Sequence, residues 1–116
     1  MLFRSDAEVI PLPGSEAAIG VLPWLFRRLA RVAIVGLTYP SYAKAFDAAG
    51  HFSRQVATLE EAASAPVAVV VNPNNPDGRV YSPIEVMNTA QAIADEDGLL
   101  IVDETFADLE IGRAHV

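Results

Sequence analysis

The residues best suited to chemistry lie in two stretches, each closing an apolar run. In the first, Val67 to Val71 (VAVVV) passes directly into Asn72-Pro73-Asn74-Asn75-Pro76-Asp77-Gly78. In the second, Leu99-Leu100-Ile101-Val102 passes into Asp103-Glu104. Short, wholly apolar, β-branched runs suit strands covered on both faces of a parallel sheet. Pro73 and Pro76 cannot donate ladder hydrogen bonds, so the first strand must end there. Three asparagines and an aspartate then lie just past the carboxyl end of a strand, where open α/β sheets bind ligands. Asn, Pro, Asp and Gly are also ordinary turn residues, and turn chemistry alone accounts for the first stretch. The repetition of the pattern at Asp103 weighs toward a site.

The rest of the chain must position these residues. Glu8-Val9-Ile10 reads as a short strand, and Pro11-Leu12-Pro13-Gly14 breaks regular structure. Ser15 is an N-cap for a helix running to about Arg28, which Pro23 should kink or divide by ending a first segment. Gly14-Ser15 at that helix start offers N–H groups and a hydroxyl to an anion, or a simple cap. Arg31 to Leu37 is a strand, and Pro40 to Ala49 a helix closed by Gly50. His51 to Val56 is a strand with Phe52 and Val56 inward. Thr58, with Glu61 three residues on, opens a short helix. Ser82-Pro83 opens another, whose apolar stripe is Ile84, Val86, Met87, Ala90, Ile93 and Ala94, and Gly98 stops it. Strands are expected near 32–37, 67–72 and 98–103, and helices near 15–29, 40–49 and 83–96. The architecture expected is a three-layer α/β/α domain with a mostly parallel sheet.

Composition narrows the function. A chain of 116 residues, 52% hydrophobic, can bury the core of one domain. A net charge of −7 argues against a general nucleic-acid binder. Arg27, Arg28 and Arg31 cluster, but at an expected helix end, where cations suit the macrodipole better than they mark an anion site. There is no cysteine, and the two histidines lie far apart, so no metal site is expected. No apolar run approaches the roughly 20 residues of a membrane span, and acid and proline interrupt the N-terminus too early for a signal peptide. A cytoplasmic protein is expected. No Gly-x-Gly-x-x-Gly and no Walker sequence occurs.

The pair NPNNPDG and, 28 positions from Asn75 to Asp103, IVDETF resembles the aspartate-aminotransferase-fold (type I) pyridoxal-phosphate enzymes. Within that family the sequence looks closest to the threonine-phosphate decarboxylases of cobalamin biosynthesis, then to histidinol-phosphate aminotransferases. The resemblance covers about Leu12 to Asp108. It implies part of a large cofactor-binding domain, pyridoxal 5'-phosphate as cofactor, a small amino-acid phosphate as substrate, and a homodimeric parent. It implies the cofactor residues Gly14, Ser15, Tyr39, Asn75 and Asp103. Gly14-Ser15 would hold the phosphate. Tyr39, in Thr38-Tyr39-Pro40-Ser41-Tyr42, would stack on the ring, and Tyr42 would stack too or face the substrate. Asn75 would donate to the phenolate oxygen, and Asp103 would sit against the pyridine nitrogen, keeping it protonated. Asn72 and Asn74 would hold the turn, and Glu104 has no assigned role.

Several positions depart from the family. Leu37 stands where proline is usual and Asp77 where threonine is. Phe106 replaces a tyrosine that often shares the phenolate oxygen, as in the threonine-phosphate decarboxylases, which favours a decarboxylase over a transaminase. The family's cofactor-bearing lysine follows the Asp in a Ser-x-x-Lys segment. Here Lys44 is the one lysine, and it precedes both landmarks. No catalytic residue is therefore assigned. Glu110 to Val116 (EIGRAHV) matches nothing in the family and back-translates to a string resembling a common sequencing-library adapter. Residues 1–110 are thus expected to be a partial large domain and 111–116 a non-native tail. A histidinol-phosphate-like aminotransferase fragment and a non-catalytic α/β binding module stand as alternatives.

Overall fold

The computed structural model describes residues 9–12, 16–38, 40–74 and 77–104. Five strands form one sheet: β1 (Val9–Leu12), β2 (Arg31–Val35), β3 (Phe52–Val56), β4 (Val67–Val71) and β5 (Leu99–Asp103). Their order is β1-β5-β4-β2-β3, and every pairing is parallel. Parallel neighbours require crossovers, and helices supply them. These are α1 (Glu16–Val21), α2 (Ser41–Ala48), α3 (Leu59–Ala62) and α4 (Pro83–Ala94).

Strand alternation divides the core in two. Val67, Val69 and Val71 of β4 pack with Ile19, Leu22, Tyr42 and Phe46 from the α1–α2 side. Ala68 and Val70 pack with Leu59, Ala62, Val86, Ala90 and Ile93 from α3 and α4. The result is the expected three layers. Tyr42 and Phe46 are wholly buried, four residues apart on one face of α2. Burying such a side chain contributes roughly 1.5–3 kcal/mol. Apolar β4 is central, and its whole length is buried.

Local chemistry sets the element ends. Thr58 and Ser82 each accept from the N–H three residues on, and Glu61 and Glu85 reach back to the cap N–H groups. Gly98 is needed for close approach: a Cβ there would stand 2.6 Å from both the Ile93 side chain and the Pro66 carbonyl oxygen. The left-handed residue after α4 is instead Asp97, at φ 61°.

Five expectations need correction. The helix expected over 15–29 ends its α-helical part at Val21 and tightens into a 3-10 turn over Leu22–Leu25. Pro23 inside that turn has no N–H with which to continue the α ladder. Arg27 and Arg28 therefore follow the helix and Arg31 opens β2, so the macrodipole does not explain them. Pro11 and Leu12 lie within β1, which is an edge strand and tolerates a missing donor. Phe52 is 64% exposed while Val56 is buried. The two share a strand parity, but Phe52 opens the edge strand, beyond the cover of the helices. On α4 the buried positions are Val86, Thr89, Ala90 and Ile93, whereas Ile84 and Met87 face solvent. Among the described residues no helix is long and apolar enough to cross a membrane.

Candidate functional site at the carboxyl edge of the sheet

The connection leaving β2 runs through α2 outward to β3, while the one leaving β4 runs through α4 the other way to β5. Adjacent strands β2 and β4 thus form a topological switch point. The crevice at their carboxyl ends is where such sheets hold ligands. Three chain segments meet there: the turn after β2, the turn after β4, and the end of β5.

Asp103 ends β5, paired in register with Val71 of β4, and its carbonyl accepts from the Asn72 N–H at 2.9 Å. Its carboxylate is wholly buried. Alternation puts it on the same face as Ile101, the face covered by α2. There the Tyr42 hydroxyl, also wholly buried, donates to Asp103 Oδ2 at 2.6 Å. A buried carboxylate is tolerated only with partners. The Tyr42 hydroxyl fixes Oδ2, and a carboxylate held at this edge would favour the charged form of a cationic group brought beside it.

The two described asparagines of the β4 turn, Asn72 and Asn74, are committed to the chain itself. Asn72 Oδ1 accepts from the Tyr81 N–H at 2.8 Å, and its Nδ2 donates to the Tyr81 carbonyl at 3.0 Å. This clamps the two ends of the turn in a ladder-like pair. Asn74 Nδ2 donates to the Leu37 carbonyl and to Asp77 Oδ1, both at 2.8 Å. The expectation that these two residues hold the turn agrees with that geometry. The Arg79 N–H first, then the Asn74 amide, hold the Asp77 carboxyl below its usual range. Burial pushes the Tyr81 hydroxyl up, with the Arg79 guanidinium, 5.0 Å from its ring centre, opposing.

Of the residues expected in the site, Asp103 is described, while Gly14, Ser15, Tyr39 and Asn75 lie outside the described residues, as does Phe106. The expected approach of Asn75 to Asp103 falls outside them too. The strand ends that carry the two stretches are adjacent. Tyr42 takes a role sequence reasoning did not assign, as the partner of Asp103. The helical spacing of Tyr42 and Phe46 was the available signal that its ring faces the sheet. Lys44 lies two residues on, about 200° around α2, and is exposed. His51, distant from this edge in role, is a satisfied core residue: Nδ1 accepts from the Ala30 N–H at 3.0 Å and Nε2 donates to the Pro23 carbonyl at 2.8 Å.

The family model for aminotransferase class I and II matches residues 1–116. The chain belongs to this family. Its members depend on pyridoxal phosphate. A threonine-phosphate decarboxylase from a Sinorhizobium species is 42% identical over 102 residues, 87% of this chain and 31% of that protein. Another, from Pseudomonas aeruginosa, is 40% identical over 110 residues, 92% of this chain and 33% of that protein. The histidinol-phosphate aminotransferase of Sinorhizobium meliloti, solved with pyridoxal-5'-phosphate, superposes with a TM-score of 0.62 at 26% identity, covering 82% of this chain and 29% of that one. The chain thus spans about a third of the length of the curated relatives it matches. Family membership and the parallel three-layer sheet agree with the resemblance read from NPNNPDG and IVDETF.

Proposed function

We propose that the protein to which this region corresponds is a cytoplasmic, homodimeric, pyridoxal-phosphate-dependent decarboxylase of threonine phosphate. The observation that carries this reading is the identity of 40–42% to two threonine-phosphate decarboxylases across most of the chain. The chemistry of the carboxyl edge fits the cofactor. Asp103 is a buried carboxylate, already oriented by Tyr42, and it would accept a hydrogen bond from a protonated pyridine nitrogen. Its charge would raise that nitrogen's pKa, because opposite charges favour the charged form. Gly14, Ser15, Tyr39 and Asn75 would hold the phosphate, the ring face and the phenolate oxygen. The cofactor, when bound, supplies the electron sink for carboxylate loss. The chain's own part is to fix the ring, keep its nitrogen protonated and exclude water. Phe106 in place of a tyrosine favours decarboxylation over amino transfer.

The test assays the full-length protein for both reactions. Release of CO2 from threonine phosphate with little amino transfer is expected. Efficient transfer to a keto acid without CO2 would favour a histidinol-phosphate-like aminotransferase, and failure to bind cofactor at all would favour a non-catalytic module. The 116 residues alone are proposed to be inactive, since the Ser-x-x-Lys segment is missing from them and their one lysine, Lys44, precedes both landmarks and is exposed. Borohydride trapping followed by peptide mapping should leave Lys44 unlabelled; stoichiometric labelling with turnover would overturn this. The proposed division, 1–110 as domain and 111–116 as tail, is read at the gene. The frame should run on past Leu109 without the IGRAHV ending and reach Ser-x-x-Lys within a few tens of codons.

A further inference from the structure

The side-chain amide of Asn74 stands between two turns that belong to different crossovers. One turn, 36–38, leaves β2; the other, 77–79, follows β4. Asn74 Nδ2 spends both of its N–H groups, one on the Leu37 carbonyl and one on Asp77 Oδ1, each at 2.8 Å. The residue is buried, and its Oδ1 is also buried without a partner. The orientation is therefore set by the two acceptors. A flipped amide would press a carbonyl oxygen against a carbonyl and a carboxylate. The backbone of Asn74 is tied as well: its N–H donates to the Arg79 carbonyl at 2.7 Å and its carbonyl accepts from the Gly78 N–H at 2.8 Å. Asp77 Oδ1 also takes the Arg79 N–H at 2.9 Å. Across the crevice, Gly36 takes φ 76°, a left-handed conformation that favours glycine, and a Cβ there would face the Tyr81 hydroxyl at 3.6 Å and Asn74 Nδ2 at 3.8 Å. Gly36 is itself anchored by its N–H on the Val56 carbonyl at 2.8 Å.

We propose that the Asn74 amide is a positioning group that locks the β2 turn to the β4 turn across the switch point, so that the two open and close as one unit. The aspartate at 77 completes this lock by giving the second N–H a charged acceptor. Resting on the function proposed above, the consequence is for the cofactor: in the sequence Tyr39 follows the residues of the β2 turn and Asn75 follows Asn74, so this lock would bear on both the ring-stacking and the phenolate-binding residue.

The test uses full-length protein and the near-isosteric variant Asn74→Asp, which removes both donors and faces Asp77 with a like charge. Hydrogen exchange of the cofactor-free protein, read by mass spectrometry, should rise about tenfold in peptides covering 36–40 and 76–80 together. Asp77→Asn, which keeps an acceptor, should stay near wild type, while Asp77→Ala should loosen 76–80. Loosening of 76–80 alone in Asn74→Asp, or of neither, overturns the coupling. This arm stands whether or not the protein binds pyridoxal phosphate, so absence of binding by wild type would sink the proposed function and leave the coupling to be decided here. In the cofactor-bound protein, absorbance against pH gives the second reading. A donor on the phenolate oxygen favours its ionised form, so Asn74→Asp should move the absorbance midpoint to higher pH. A role confined to stability would lower the melting temperature and leave that midpoint in place, and an unmoved midpoint overturns the positioning role.

Discussion

The two ends of the sheet are built on different terms. At the amino end an open groove runs past Arg27, Arg28, Leu29, Phe52 and Asp97. All five of those side chains are exposed. At the carboxyl end two polar side chains are buried and committed: Asp103 to Tyr42, and Asn74 to Leu37 and Asp77. Exposed charge costs little to keep and so says little. A buried carboxylate or amide is destabilising unless it is partnered, so a cluster of them marks a place where orientation matters. The contrast teaches that commitment of buried polar groups, rather than the size of a depression, marks the candidate site.

The strongest way to break the contrast is Asp103→Ala in the full-length protein. Cofactor affinity should fall roughly ten- to a hundredfold, the worth of a charge-assisted hydrogen bond of about 1.5–3 kcal/mol. Absorbance-monitored titration measures it, and unchanged affinity would place the chemistry elsewhere. Tyr42→Phe should give a smaller loss by the same measurement, because the carboxylate stays but loses one partner. Gly98→Ala probes the opposite end. Its Cβ would meet Ile93 and Pro66, and overpacking of that kind costs about 1–3 kcal/mol. Urea unfolding should show that loss while the folded fraction binds cofactor as wild type does; a parallel fall in affinity would erase the distinction between the ends.

Ser82→Ala should remove about 1 kcal/mol through loss of the α4 cap. The same cap carries a pH dependence. The Ser82 N–H, then its hydroxyl, hold the Glu85 carboxyl below its ordinary 4.5. A depressed carboxyl stabilises the fold above its ordinary value and loses that contribution as pH falls through the lowered one. Acid unfolding curves of wild type and Glu85→Gln should therefore converge below that range. The smallest effect is expected at the amino-end groove. Arg27→Ala with Arg28→Ala should change stability by no more than about 0.5 kcal/mol and leave cofactor affinity untouched. A clear drop in affinity would show that the exposed groove takes part after all.

Much of the fold was legible because its signals are local. Proline and asparagine end β4, Ser82-Pro83 and Thr58 open their helices, and β-branched runs mark the strands. The candidate site was legible as a place, since both polar stretches follow apolar strands. Less legible were exposure and partnership. Phe52 and Val56 have the same parity and opposite burial, because an edge strand is covered along only part of its length.

The sequence by itself determined the element order, the caps, the two polar stretches and the family they resemble, all of which depend on residues within a few positions of one another. Only the tertiary structure decided the strand order β1-β5-β4-β2-β3, and with it which turns share a crevice. It alone joined Tyr42 to Asp103, separated by 61 positions, and Asn74 to Leu37, separated by 37. Contacts at such distances depend on which strands become neighbours, which is set by packing helices on both faces of the sheet. No local propensity encodes that choice.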